Sequence, residues 1–270
     1  MRIIYNSPRV ENLQFLKLEF SGFDTIILEE PRNDLFYDVL DGKISVDFYA
    51  RKISTQYPLY TQKLMEMLKE LRDRRIMQVE PYLEEVEKLR NLGEGDDRVR
   101  EMERKVSALY IDYTESFLKA DFEEVVEKIL RLSKAEAERI VMRDEMRAKV
   151  LENWDNAAVE AGINHFKLSE ILDAESVRIA DIIAERIGTR YLESPGERIL
   201  KAFIFDEDEN FALLAARNLV FITLLEKREM LPDFDGDYPH FVHEQKLVRF
   251  VEKLDYEKCK KLFYRFWSSR

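Results

Sequence analysis

A single cysteine, Cys259, occurs in 270 residues. One thiol can make neither an intrachain disulfide nor a thiolate metal cluster, so the expected setting is the reducing cytoplasm. Histidine is nearly as scarce, with 3 in the chain, so imidazole chemistry has to rest on His165, His240 or His243. Glycine numbers 8. There is no Gly-x-x-x-x-Gly-Lys phosphate loop and no Gly-x-Ser-x-Gly nucleophile elbow, and Gly93-Glu94-Gly95 stands alone. No run of about 18 apolar residues occurs. The opening Met1-Arg2-Ile3-Ile4-Tyr5 lacks the apolar stretch of a signal peptide. No membrane association is therefore expected. A basic surplus is missing too: Lys+Arg 43 against Asp+Glu 54 gives a net charge of −11. A broad nucleic-acid footprint, which needs a basic face, is excluded on that ground.

What is present is a large apolar fraction and many charges of both signs. Hydrophobic residues make up 46%, enough to bury a real core, and charged residues 36%, above the ordinary quarter or so. Abundant Glu, Lys and Arg with little Gly and Cys is a composition expected of a heat-adapted protein. The length suits a single α/β domain over 1–270.

The order of elements points to that class. Arg2–Asn6 is a short apolar run that reads as a first strand. Ser7-Pro8 has helix-start chemistry, Leu13, Leu16 and Phe20 share a helix face, and Gly22 ends the helix. Phe23–Leu28 is a second strand, apolar enough to be covered on both faces of a parallel sheet. Residues 32–60 read as short helices and loop, and 61–74 as a helix. Residues 75–81 read as a third strand ending in Glu80-Pro81, which repeats the Glu30-Pro31 that follows the second. From 82 to 154 the pattern is helical, interrupted only at 91–97, with Ser133-Lys134-Ala135-Glu136 read as a capping box. This stretch is expected to be a helical insertion that packs on the sheet, acts as a lid or forms a dimer interface. Residues 157–162 read as a buried strand and 168–172 as a helical turn. Asp173 is expected to cap a helix through Ile187, and 198–205 to form a further strand. Helices then follow over 210–230, 239–254 and 256–267. The predicted architecture is a mostly parallel central sheet flanked by helices, with a large helical insertion.

In open α/β sheets ligands bind beyond the carboxyl ends of the strands. The strand assignments put Asn6, Glu29, Glu30, Glu80 and His165 at such ends. A histidine with two or three carboxylates can hold Mn, Fe or Zn, with His165 and Glu30 as ligands, or supply a general acid and base. Each residue also has a purely structural reading. His165 can cap the following helix, Glu29 and Glu30 can pair with arginines or sit at a helix start, and Glu80 can be a structural acid. His240-Phe241-Val242-His243-Glu244 departs from the His-Glu-x-x-His order of zinc peptidases and reads as an exposed helix start. Asp233-Phe234-Asp235-Gly236-Asp237 lacks the glycine of a calcium loop at its sixth position and reads as a turn. Cys259 is given no role.

Val159-Glu160-Ala161-Gly162-Ile163-Asn164-His165 resembles the second Gly-x-x-His element of the TraB/ChaN/Tiki superfamily, which includes erythromycin-esterase-like proteins. Ile26-Ile27-Leu28-Glu29-Glu30 resembles its strand ending in glutamates, and Arg143-Asp144 its Arg-Asp pair. The resemblance touches the first 30 residues and roughly 140–172. It departs where the superfamily has a first Gly-x-x-His, because here Asn6-Ser7-Pro8-Arg9 stands instead. The resemblance implies a metal-dependent or acid–base hydrolase of a small-molecule or peptide substrate. His165 would be ligand or base, Glu29 or Glu30 ligand or acid–base partner, and Arg143 an anion clamp. The missing element favours the alternative, a non-catalytic descendant that binds a ligand or protein partner and buries a helical face of 97–150 in a homodimer.

Overall fold

Strands β1 (Arg2–Asn6), β2 (Thr25–Leu28), β3 (Arg75–Gln78), β4 (Ala157–Gly162) and β5 (Glu175–Arg178) form one sheet. The computed structural model describes residues 1–53 and 55–268. In it the strands are all parallel, in the order β3-β2-β4-β1-β5. The apolar runs lie where a doubly covered sheet needs them, because successive side chains of a strand point to opposite faces. Ile3, Tyr5, Ile27, Val159 and Ala161 join one cluster with Ala148, Leu151 and Leu168. Ile4, Ile26, Leu28, Ile76 and Ala158 join another with Leu16, Phe20, Leu64, Leu68 and Ile183.

The helices are α1 (Leu13–Ser21), α2 (Asp34–Leu40), α3 (Val46–Lys52), α4 (Pro58–Glu70), α5 (Pro81–Leu92), α6 (Asp97–Lys119), α7 (Phe122–Leu151), α8 (Leu168–Ile171), α9 (Ile179–Arg186), α10 (Pro195–Phe205), α11 (Phe211–Leu224), α12 (Pro239–Val251) and α13 (Tyr256–Trp267). Several start on side chains that satisfy the orphan N–H groups of a first turn. Asn33, Ser45, Asp96, Asn210 and Asp255 each accept from a backbone N–H two or three residues on, and Ser194 with Glu197 closes a capping box. The start of α4 borrows a distant acid: the Glu229 carboxylate accepts the N–H groups of Leu59 and Tyr60 at 2.9 and 2.8 Å.

The chain divides into two compact units, with boundaries that fall within α5, α7 and α12. The first holds the sheet, α1–α4, α8, α9 and residues 1–84, 143–191 and 226–242. The second is helical and comprises 85–142, 192–225 and 243–270. Its core gathers Phe122, Val125, Val126 and Ile129 of α7 with Leu214, Leu219 and Val220 of α11, Val248 of α12, and Cys259 and Phe263 of α13. The helical stretch 82–154 thus contributes most of its length to a unit completed by two later segments.

Several sequence expectations are corrected. Residues 198–205 are helix α10, not a strand, because Ser194-Pro195 with Glu197 starts a helix that the apolar run continues. The first part of the helix expected after Asp173 is the edge strand β5, and α9 begins only at Ile179. Ser133 and Glu136 lie inside α7 and cap nothing. Ser7 and Pro8 precede a 3-10 turn, Val10–Asn12, and start no helix. The start of α12 is buried rather than exposed: Glu11, itself buried, accepts the N–H groups of His240 and Phe241, and His240 Nε2 accepts that of Met230. Residues 233–237 form the expected turn, with Gly236 at φ 89°.

Candidate active site

Strand order selects where a crevice opens. Adjacent strands β2 and β4 leave the sheet in opposite directions, β2 toward β3 and β4 toward β5. A switch point of this kind is where open α/β sheets bind ligands. Pairing runs slightly past the strands, since Val79 N–H donates to Leu28 O at 3.0 Å. Glu29 and Glu80 therefore emerge close together.

Glu29 is the hub. Its Oε1 accepts from Arg143 Nη2 at 2.5 Å and lies 2.8 Å from His165 Nε2. Its Oε2 accepts the N–H of Gly162 and lies 3.7 Å from Arg147 Nη1. Arg143 Nε donates to Glu80 Oε1 at 3.0 Å. His165 Nδ1 contacts Asp144 Oδ1, and Asp144 Oδ2 accepts the N–H of Lys167 at 3.2 Å. Arg147 Nη2 donates to the Glu160 carbonyl at 2.7 Å. Arg143 and Arg147 sit one turn apart on α7, so a single helix face delivers both guanidinium groups. The imidazole is placed by the turn after β4, where His165 N–H donates to Gly162 O at 3.1 Å.

The other side of the strand ends is built differently. Glu160 Oε1 accepts from Asn6 Nδ2 at 3.2 Å, and its Oε2 accepts the N–H of Glu29 at 3.3 Å. Asn6 Nδ2 also donates to the Tyr60 hydroxyl at 2.9 Å, and Asn12 holds Asn6 Oδ1 at 3.0 Å. Glu30 accepts from Gln78 Nε2 at 2.6 Å.

These surroundings push the titrations apart. Burial opposes the charge of Glu29, but the imidazolium of His165 and the guanidinium groups of Arg143 and Arg147 overcome it, holding this carboxyl far below the ordinary range. Burial likewise opposes charge on His165, yet Glu29 and Asp144 win and push it up to about 9. Burial and the charge of Glu29 push Glu160 up to about 7. Burial raises Glu30 and Glu80 as well, in Glu80 against the pull of Arg143. Among the buried polar groups without hydrogen-bond partners are Glu80 Oε2, and Arg147 at Nε and Nη1. Such orphaned groups in a polar site are natural seats for an ordered water.

The structure thus brings Glu29, Arg143 and His165 together, with Glu80 alongside. His165 and Glu30, the pair expected as metal ligands, have different partners: the imidazole meets Glu29 and Asp144, whereas Glu30 is bonded to Gln78. A divalent metal does not fit this donor set. Both imidazole nitrogens already face carboxylates, and the adjoining groups are two guanidinium cations. Among the described residues no three of His, Cys, Asp and Glu form a ligand group. Sequence reasoning gave no role to Glu160 or Arg147. An acid inside the apolar run Ala157–Gly162, and an arginine at i+4 from Arg143, were the available signals.

Fold and site together define an all-parallel α/β protein with an acid–imidazole–guanidinium network at the carboxyl ends of its central strands. Neither a family model nor a solved structure matches the chain. It is 75% identical over 270 residues, the full length of both chains, to an Archaeoglobus fulgidus protein described as uncharacterized, and it belongs to the same family as that protein. No helix among the described residues is long and apolar enough to cross a membrane.

Proposed function

We propose that the protein is an acid–base hydrolase of a small-molecule or peptide substrate, working at the carboxyl ends of β2 and β4. One observation carries this reading. Glu29 and Glu160 are neighbours across those strands, and their environments drive them to opposite ends of the carboxyl range. A pair of acids separated in this way is how a site obtains a permanently charged group and a proton-exchanging one at neutral pH. Glu160 is the exchanging group. As carboxylate it takes a proton from water as the water oxygen bonds to the substrate's acyl carbon. It then gives that proton to the leaving group as the acyl bond breaks. Arg143 lies across Glu29 from Glu160 and, bonded to Glu29 and Glu80, helps to keep Glu29 ionised. His165, raised to about 9, is an imidazolium at neutral pH. It serves to hold Glu29 ionised rather than to act as a base. The resemblance to the TraB/ChaN/Tiki superfamily supports a hydrolase, and no step here passes through a metal.

A second reading, a non-catalytic descendant that binds a ligand or partner, is favoured by a different observation. Both nitrogens of His165 and both oxygens of Glu29 are already engaged within the chain, as in a structural brace. A panel of chromogenic esters and peptides, assayed from pH 5 to 9, separates the two. Turnover that rises with a midpoint near 7 and falls at least about 100-fold in Glu160→Gln, with folding unchanged, supports the hydrolase. No turnover across the panel, or equal turnover in the variant, supports the brace.

A further inference from the structure

The second unit carries a cleft unrelated to the strand-end site. It lies between α5 and α6 and has a volume of about 510 Å³. Its walls are apolar, from Val86 and Leu89 of α5 and Ala108 and Ile111 of α6. Its remaining lining is dominated by arginine: Arg90 on α5, with Arg100 and Arg104 one turn apart on α6. The volume is that of a site for a small molecule, in the range of about 300–1,000 Å³.

The charges say which molecule. In a chain of net charge −11, three guanidinium groups around one apolar cleft are a local reversal of sign. Arg100 has its own acid, Asp97, and the acid within the lining, Glu103, is drawn off by Arg139 at 3.3 Å. Arg90 and Arg104 have no acidic partner among the described residues. Like charges at i and i+4 on a helix repel, so Arg100 and Arg104 are a cost that a bound anion would relieve. Beyond the guanidinium groups the same helix exposes apolar side chains: Ile111 is 57% exposed and Leu118 67% exposed. Ile111 lines the cleft, so its exposed side chain is apolar surface that a bound tail would cover.

We infer that the α5–α6 cleft binds a free single-chain carboxylate amphiphile, its head on Arg90 and Arg104 and its alkyl chain along Val86, Leu89, Ala108 and Ile111. The arginines choose the sign of the head group, and the apolar walls shed water onto the tail. The site belongs wholly to the second unit and does not depend on the hydrolase reading.

The test is calorimetric titration of the full chain with dodecanoate below its micelle concentration, beside dodecyltrimethylammonium, which has the same tail and the opposite charge. Saturable one-to-one binding of dodecanoate alone is expected. Arg104→Glu and Ile111→Asp, both exposed positions that leave the circular dichroism and melting temperature unchanged, are each expected to weaken it at least tenfold. Equal binding of the two amphiphiles would overturn the inference, as would no binding or binding indifferent to both variants. So would a dimer in sedimentation that Ile111→Asp splits while dodecanoate does not bind, because a second copy of the chain would then cover the face.

Discussion

Glu29 and Glu30 are adjacent in the chain and serve opposite sides of the sheet. Glu29 meets Arg143 of α7 at 2.5 Å, and Glu30 accepts from Gln78 at 2.6 Å on the side where α3 places Tyr49. The period-2 alternation of a strand continues past Leu28 and splits the two acids. The site is therefore two half-sites back to back. One is rich in guanidinium and imidazolium, the other holds Glu160, Glu30 and two phenols, and Glu29 forms the wall between them through its side chain and its N–H.

Removing the imidazole should be costly. His165 lies between Asp144 and Glu29, all three nearly or fully withdrawn from water. His165→Ala leaves two acids facing one another with no cation between them. Breaking a buried pair on one side typically costs about 3–5 kcal/mol. The expected outcome is a loss of that order in the unfolding free energy from urea titration at pH 7. A loss below about 1 kcal/mol, the range of an exposed ion pair, would show that the network is open to solvent.

Stability should fall as pH rises, in two windows. Folding raises His165 from its ordinary 6.5 to about 9. Its stabilisation is therefore fully present below about 6.5 and lost as pH climbs through 9, a change on the order of 2–3 kcal/mol. Glu160 rises from 4.5 to about 7. The folded state keeps its proton between those values, so stability also declines there, by on the order of 2 kcal/mol after allowance for partial exposure. Glu29 has the opposite sign, but its window lies below 4.5 and overlaps neither. Denaturant midpoints at pH 5, 7 and 9 should decrease in that order. Glu160→Gln should flatten the first interval and His165→Gln the second, and a wild-type profile flat from 5 to 9 would contradict both assignments.

Much of this is legible in the sequence. Apolar runs of four to six residues gave β1 to β4 their places, and acids or a histidine just after them gave Glu29, Glu80 and His165. The failures have physical causes. The run Arg198–Phe205 is apolar enough for strand or helix, and only its upstream Ser194-Pro195-x-Glu197 decides. Strand β5, Glu175–Arg178, is a polar edge with little hydrophobic signal and is held by its register with β1. The partition of Glu29 from Glu30 depends on strand register and on which helix covers which face, and no local pattern carries that. Glu160 was visible as an oddity, an acid in the middle of a buried strand, yet its near-neutral titration comes from Glu29 on the neighbouring strand.

Cys259 should be silent in the native state. It is buried in the core of the second unit, and burial pushes its thiol up to about 11. The thiolate is the nucleophile, so a buried thiol held in its neutral form does not alkylate. Iodoacetamide at pH 8 should leave the intact mass unchanged over hours and add one adduct in guanidinium. Rapid native modification would mean that α13 opens from the core.

Gly162 is needed for closeness rather than for an unusual dihedral. A Cβ built there would lie 3.3 Å from Glu29 Oε2 and 3.5 Å from His165 Cδ2, and Glu29 Oε2 already accepts the Gly162 N–H. A methyl group would push the carboxylate away from the amide, from the imidazole and from Arg147 together. Overpacking of this kind costs typically about 1–3 kcal/mol. Gly188 is the control, since it has φ +69° and open space around its would-be Cβ. Alanine there meets only backbone strain, of about 1 kcal/mol. The two variants should therefore lose comparable stability, but only Gly162→Ala should move the histidine. Read by the His165 ring resonances in a pH titration, its midpoint should drop from about 9 toward the ordinary value as Glu29 withdraws, while Gly188→Ala leaves it in place. An unshifted His165 midpoint in Gly162→Ala would mean that Asp144 alone sets the charge of the imidazole.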